Sequence, residues 1–182
     1  MEFTPSSIPA VIIITPKIYK DHRGDFFETY RSDEFSATGI DQEFIQANHA
    51  GSKKGVLRGL HYQIQQAQGK LVRVAWGEIY DVAVDLRKSS PSFGQAVGIL
   101  LSSQNKKQLW IPPGFAHGYY VLSDWAELSY KVTAYYAPEW ERTLLWNDPD
   151  LGIEWPLLSD DLPILSENDK KGFLLKAAEV YE

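Results

Sequence analysis

Residues 55–77 read GVLRGLHYQIQQAQGKLVRVAWG, two apolar runs on either side of a polar loop. Val56–Gln63 and Leu71–Trp76 are rich in β-branched and aromatic residues and are bounded by turn-forming glycines, which predicts two strands. His61 and Gln63 are polar positions flanked by apolar ones, so on a strand they line a cavity. Lys70 follows Gly69 at the entrance to the second run. A histidine near a lysine suits proton abstraction next to a carbonyl group.

The same texture extends in both directions. Further short runs are Val11–Thr15, Phe26–Tyr30, Phe44–Ala47, Ile79–Leu86, Gln95–Leu101, Gln108–Ile111, Gly118–Leu122 and Ala126–Tyr135. Turn markers such as His22-Arg23-Gly24, Ser90-Pro91 and Pro112-Pro113-Gly114 separate them. Many short strands at this spacing predict an all-β sandwich. Helix candidates are Ser32–Ala37 and the stretch from Glu167 onward, with Ser166 as its N-cap. No repeat or linker divides the chain, so a single domain over residues 1–182 is expected.

Composition removes several classes of function. A net charge of −6 offers no basic stripe for nucleic acid, although a few local cations suffice for one diphosphate. With no cysteine there is no disulfide, thiolate nucleophile or Cys-based zinc site. The apolar run Val11–Ile14 is too short for a signal segment or a membrane span, and a soluble cytoplasmic protein is expected. Six Trp and ten Tyr supply ring faces for a core, an interface or a planar ligand.

Eight blocks carry a specific resemblance: RGDFFE (23–28), VLRGLHYQ (56–63), AQGKLVRV (67–74), YDVAVDLRKSSPSFG (80–94), LWIPPGFAHGYYVLS (109–123), YKVTAYYAP (130–138), WNDPDLGI with the following WP (146–156), and LSEND (165–169). In this order, over roughly residues 3–170, the chain resembles the dTDP-4-dehydrorhamnose 3,5-epimerase family, RmlC-like members of the cupin superfamily. The resemblance implies a cupin-type jelly-roll β-sandwich with a few short helices. It also implies a homodimer, often with exchanged N-terminal strands, and a dTDP-sugar substrate with no cofactor. Gly55, five residues on, His61, and the closing Gly77 outline the first cupin metal motif; Pro112, Gly114 and His117 outline the second. Gln63 stands where a second histidine belongs, and Lys70 where a carboxylate belongs. A divalent cation needs several N or O donors with balancing negative charge, so no metal is expected.

In a 4-keto sugar the C–H groups on either side of the ketone are acidified. His61 is the candidate base, and Lys70 fits the cation that an enolate oxygen requires. The resemblance assigns the proton donor to Tyr130 and the carboxylate that orients His61 to Asp169. Asp81 and Asp85 are alternatives for that carboxylate, or else structural hydrogen-bonders. Arg23, Glu28, Gln46, Asn48, Arg58, His117 and Glu141 match family substrate-binding positions, and Gln63 joins them as a cavity residue. Tyr135 or Tyr136 stacks on thymine; strand alternation from Tyr130 favours Tyr136, with Phe26 on the other side of the base. Arg58 has the wrong parity to face inward with His61, unless Gly59 hosts a bulge. Asn168 stands where many members have a lysine that contacts substrate. Competing readings are a single-carbon epimerase, a metal-dependent cupin and a non-catalytic sugar-binding sandwich.

Overall fold

The alternating runs become strands in a computed structural model that describes residues 1–158 and 162–182. In chain order they are β1 Glu2–Pro5, β2 Ile12–Thr15, β3 Tyr19–Asp21, β4 Gly24–Phe26, β5 Gln46–Lys53, β6 Leu57–Gln63 and β7 Lys70–Trp76. There follow β8 Glu78–Asp85, β9 Ala96–Ser102, β10 Gln108–Ile111, β11 Phe115–Val121, β12 Trp125–Val132 and β13 Glu141–Thr143. One short helix, α1 Ser32–Ser36, lies between β4 and β5.

A six-stranded sheet, β1-β2-β10-β7-β12-β5, faces a five-stranded sheet, β13-β6-β11-β8-β9. All pairings are antiparallel. Val72, Val74, Leu109, Ala126 and Leu128 from the first meet Ile79, Ala83, Val97, Leu101 and Phe115 from the second in the main core. The outer faces are covered too. Phe35 and Ile40 lie on Leu71 and Trp110, while Leu144, Leu151 and residues 173–181 cover Leu60, Tyr62, Val82 and Val84. This double burial explains why several strands are apolar on both faces.

Several boundaries differ from the sequence expectation, for identifiable reasons. Phe26–Tyr30 is not a strand, because β4 ends at Phe26. The strand expected at Phe44–Ala47 is β5, whose QANHAGSK lacks large apolar residues beyond Gln46. β11 starts at Phe115 rather than Gly118, directly after the Pro112–Gly114 turn. β12 stops at Val132, so Tyr136 lies beyond the alternation used to orient it. The stretch from Glu167 onward forms only two single 3₁₀ turns, Asp169–Lys171 and Leu175–Ala177. Gly172 ends the first, packed so closely that a Cβ there would lie 2.5 Å from the Leu144 carbonyl carbon. Phe173 then exchanges backbone hydrogen bonds with Thr143 and Leu145, so sheet contacts override local helix propensity. Among the described residues no helix is long and apolar enough to cross a membrane.

Asp85 closes the β8–β9 connection and is a structural hydrogen-bonder. Its fully buried carboxylate accepts bonds from Arg87 Nε at 2.9 Å and Nη2 at 2.7 Å, from Ser90 Oγ at 2.6 Å and from Ser92 Oγ at 2.7 Å. Burial opposes ionisation, but the Arg87 and serine donors outweigh it and hold the carboxyl at about 2. A depressed pKa contributes stability above the unfolded value and loses it as pH falls through the folded one. Asp85→Asn is expected to destabilise the protein by about 2 kcal/mol at pH 7. Urea unfolding should show the gap from wild type closing between pH 4 and pH 2; a gap independent of pH would contradict this account.

Candidate active site

The site begins with a break in regularity. Opposite β11, strand β6 holds one extra residue: His61 pairs with His117, but Arg58 pairs with Tyr119. This bulge lies at Gly59, whose φ is +128° and whose Cα sits so near β11 that a Cβ would lie 2.5 Å from the Cα of Gly118. Only glycine tolerates both conditions. The sequence expectation of a Gly59 bulge holds, and Arg58 joins the cavity side through Nε, which donates to Ser52 Oγ at 3.1 Å.

His61 Nε2 lies 2.6 Å from Asp169 Oδ1, across 108 residues of sequence. Asp169 is 2% exposed, its Oδ2 accepts the Ser166 hydroxyl at 2.7 Å, and its backbone N–H donates to the same hydroxyl at 3.1 Å. Burial raises the carboxyl's pKa, but the His61 and Ser166 bonds prevail and keep it below the ordinary value. An ionised carboxylate only accepts, so the imidazole proton sits on Nε2 and Nδ1 carries the lone pair. The His61 side chain remains 34% exposed and accessible to a ligand. Directly across the strand pair, His117 Nε2 contacts both oxygens of the buried Asp81, at 3.0 and 2.9 Å. Asp81 therefore serves His117, and Asp169 serves His61.

Lys70 reaches in from β7 on the opposite sheet. It is 8% exposed, and Nζ donates to the His61 carbonyl at 3.3 Å. It makes no ion pair with any described residue. Burial pushes its pKa down to about 8, with the charges of Asp81 and Glu141 opposing the shift. Tyr130 also comes from this sheet, paired with Val72 on β7 and Asn48 on β5. Its hydroxyl bonds no described residue, and burial first, then Tyr119, raise its pKa, so it is a neutral donor. His61 and the Tyr130 phenol thus project from opposite sheets.

The remaining expected residues divide. Gln46 Nε2 donates to Asn48 Oδ1 at 2.8 Å, and Gln46 Oε1 accepts from Tyr136 N at 3.0 Å. The Tyr136 hydroxyl donates to Glu141 at 3.0 Å, which places Tyr136 beside the site by loop contacts rather than by strand parity. Gln63 is a correction. Its amide donates to the carbonyls of Gln66 and Tyr135 and accepts from Ala137 N–H, so it clips two loops and has no hydrogen left for a ligand. Asn168 is exposed beside Asp169, with its side chain bonded to no described residue. Arg23, Phe26 and Glu28 are not brought to His61 within one chain. Their hairpin is held by Lys106 on Asp25, by Arg73 and Lys106 over the Phe27 ring, and by Gln108 on the Thr29 carbonyl. Arg73 alternates with Val72 and Val74 on β7, so this is the outer face of the sheet that presents Lys70 inward.

Sequence reasoning missed Ser52 and Tyr119, and missed that Ser166 bonds the Asp169 carboxylate as well as its N–H. The regular alternation of Phe115, His117 and Tyr119 carried a signal for Tyr119; nothing marked Ser52. A groove of about 710 Å³ between Ile64, Lys88, Phe93 and Leu175 lies on the outer face and contains none of these groups.

What the fold and the site define is a cupin-type jelly-roll whose facing sheets and C-terminal 3₁₀ turn bring together paired His–Asp groups, a buried lysine and a free phenol, an acid–base enzyme. Among the described residues, no group of three or more His, Asp or Glu is placed to hold a metal ion. A family model described as dTDP-4-dehydrorhamnose 3,5-epimerase matches residues 5–177, and the chain belongs to that family of isomerases. The curated dTDP-4-dehydrorhamnose 3,5-epimerase of Pseudomonas aeruginosa is 54% identical over 182 residues, spanning 100% of this chain and 99% of that one. The crystal structure of RmlC from Legionella pneumophila, in complex with dTDP-4-keto-L-rhamnose, superposes with a TM-score of 0.94 at 50% identity, covering 98% of this chain and 94% of that one. ChmJ, a 3'-monoepimerase from Streptomyces bikiniensis solved with dTDP-quinovose, is more distant: 36% identical, TM-score 0.87, covering 94% of this chain and 87% of that one.

The depressed pKa of Lys70 has a kinetic consequence. With the ammonium as the active form, raising pH through about 8 discharges it in the ligand-free enzyme, and kcat/KM should fall on that limb. Lys70→Met should lose about 10²–10³ in kcat and abolish that limb. A basic limb that persists in the variant would move the titrating group elsewhere.

Proposed function

We propose that the chain epimerises dTDP-4-dehydro-6-deoxy-D-glucose at C3 and C5, giving dTDP-4-dehydro-L-rhamnose for dTDP-L-rhamnose biosynthesis, without a metal or other cofactor. The observation that carries the reading is the placement of His61 and Tyr130 on opposing sheets with Lys70 beside His61. A sugar ring held between the sheets then has a base at one face and an acid at the other.

His61 Nδ1 takes a proton from C3 or C5, and the C–H electron pair moves through the new C=C bond onto the C4 oxygen. Lys70 stabilises that enolate oxygen. As the electrons return to C5, Tyr130 gives its proton to that carbon from the far face, inverting it. Both carbons flank one ketone, so once His61 has passed its proton to water and Tyr130 has regained one, a modest rotation of the sugar presents C3 to the same base. Water then returns the proton to C3 from the far face. Arg58 and His117 supply cationic or donor contacts to the diphosphate side, Gln46, Asn48 and Glu141 hold the nucleoside end, and Tyr136 stacks on thymine. Asn168 offers a neutral amide at the rim.

Arg23, Phe26 and Glu28 fit this reading when they come from a second copy of the chain, since their own Lys70 lies across the sheet from them. We therefore assign a homodimer of single-domain chains, placed in the cytoplasm in keeping with the cysteine-free composition. Sedimentation velocity should report twice the 20.7 kDa chain mass; a monomer under assay conditions would remove these three residues from the site.

A second reading, inversion of one carbon only, draws support from the likeness to a 3'-monoepimerase. One experiment separates the two and tests the roles. In D₂O containing EDTA, NMR should find deuterium entering wild-type product at both C3 and C5. His61→Asn should lose exchange at both, by at least about 10². Tyr130→Phe should retain deuterium entry while inversion at C5 falls. Exchange at a single carbon in wild type selects the second reading, loss of turnover in EDTA reinstates a metal, and normal double inversion by Tyr130→Phe removes the phenol.

A further inference from the structure

The family match ends at residue 177, yet the following residues are woven into the sheet that carries His61. Tyr181 N donates to Leu86 O at 3.0 Å, and Lys88 N donates to Tyr181 O at 2.8 Å. The Tyr62 hydroxyl donates to Glu179 O at 2.6 Å, and Arg142 pairs with the Glu179 carboxylate. Ala178, Val180 and Tyr181 pack on the outer apolar face of the five-stranded sheet. The most consequential bond is the Tyr181 hydroxyl to the backbone carbonyl of Gln63, at 2.5 Å.

Gln63 is a junction. Its backbone pairs with Glu141 on β13, and its side chain grips Tyr135 O and Ala137 N on either side of Tyr136. Tyr136 and its hydrogen-bond partner Glu141 are therefore both referenced to one residue. His61 is fixed independently, by Asp169 and by its pairing with His117. We infer that the strap Glu179–Tyr181 is a positioning element for nucleotide binding: Tyr181, through Gln63, sets the separation and orientation of Tyr136 and Glu141. This rests on the proposed role of Tyr136 as the thymine-stacking residue. Burial pushes the Tyr62 phenol up to about 12 and the Tyr181 phenol higher, so both remain protonated donors at working pH.

The contacts set by the strap are remote from the enolising carbons, so they act equally on ground state and transition state. Tyr181→Phe in the full chain removes one hydroxyl and keeps the ring that packs near Tyr62, at a centroid distance of 6.2 Å. Steady-state kinetics and calorimetric binding of dTDP should show KM and Kd rising together by about 3–10-fold, with kcat within about twofold. Tyr62→Phe, which frees the strap at Glu179, should move both constants in the same direction and decides the matter if the first variant folds poorly. A merely structural role lowers Tm and the fraction of active enzyme, hence kcat, and leaves the dTDP Kd unchanged; that result overturns the inference. Tyr136→Ala is the control. An unchanged dTDP Kd in Tyr136→Ala overturns the stacking role itself, whereas a raised Kd there with an unchanged Kd in Tyr181→Phe overturns the strap alone.

Discussion

The contact between Gly59 and Gly118 is the constraint on which the site depends, because it lets β6 carry an extra residue without leaving the sheet. In a regular strand Arg58 and His61, three residues apart, would point to opposite faces. With the bulge, Arg58 reaches Ser52, which in turn meets the Tyr119 hydroxyl, on the cavity side while His61 stays opposite His117. The same bulge turns the Gly59 N–H toward Asp169, at 3.4 Å, adding a weak third donor to a carboxylate already held by His61 and Ser166. A single side chain at either glycine would have to push the two backbones apart, and the His61–Asp169 contact would move with them.

The electrostatics of the cavity follow from how its charges are divided. Asp81 and Asp169 are each committed to a histidine at hydrogen-bond distance, so neither is free to neutralise Lys70. The lysine is left buried with one carbonyl partner and with acidic groups that act on it only through space. In a folded protein an under-solvated cation is costly unless something supplies the missing negative charge. In the proposed mechanism a developing enolate oxygen supplies it, most fully when charge transfer is greatest, and the lysine then favours the transition state over the resting state.

The fold class and the chemistry of the site were legible in the sequence for different reasons. Strands with β-branched alternation, such as Lys70–Trp76 and Glu78–Asp85, announced themselves because their side chains carry the period. β5 was nearly silent, since its inward positions are Gln46, Asn48, Ala50 and Ser52, polar or small residues that carry no apolar period. The partner of His61 was readable only through family resemblance, because no local pattern links residues 108 apart. Gln63 was misjudged for a related reason. A polar residue facing inward on a strand announces a hydrogen bond, but not whether the partner is a ligand or the loop behind it. The Arg23–Glu28 arm shows the complementary limit, for a motif read from sequence carries no mark of which side of a sheet it occupies within its own chain.

The arrangement around Gln63 also bears on how readily the site could be converted to a metal centre. In the metal-binding version of this strand pattern, a histidine occupies position 63 and a carboxylate position 70. Restoring the histidine here would sever three hydrogen bonds that fasten the loops at Gln66, Tyr135 and Ala137, each worth about 1 kcal/mol. That loss would fall due before any metal could bind, because Lys70 would still repel it. A metal site here therefore requires at least two coordinated changes through a destabilised intermediate. The loops lean on Gln63 as it stands, so this position resists a histidine for reasons of folding as well as of charge.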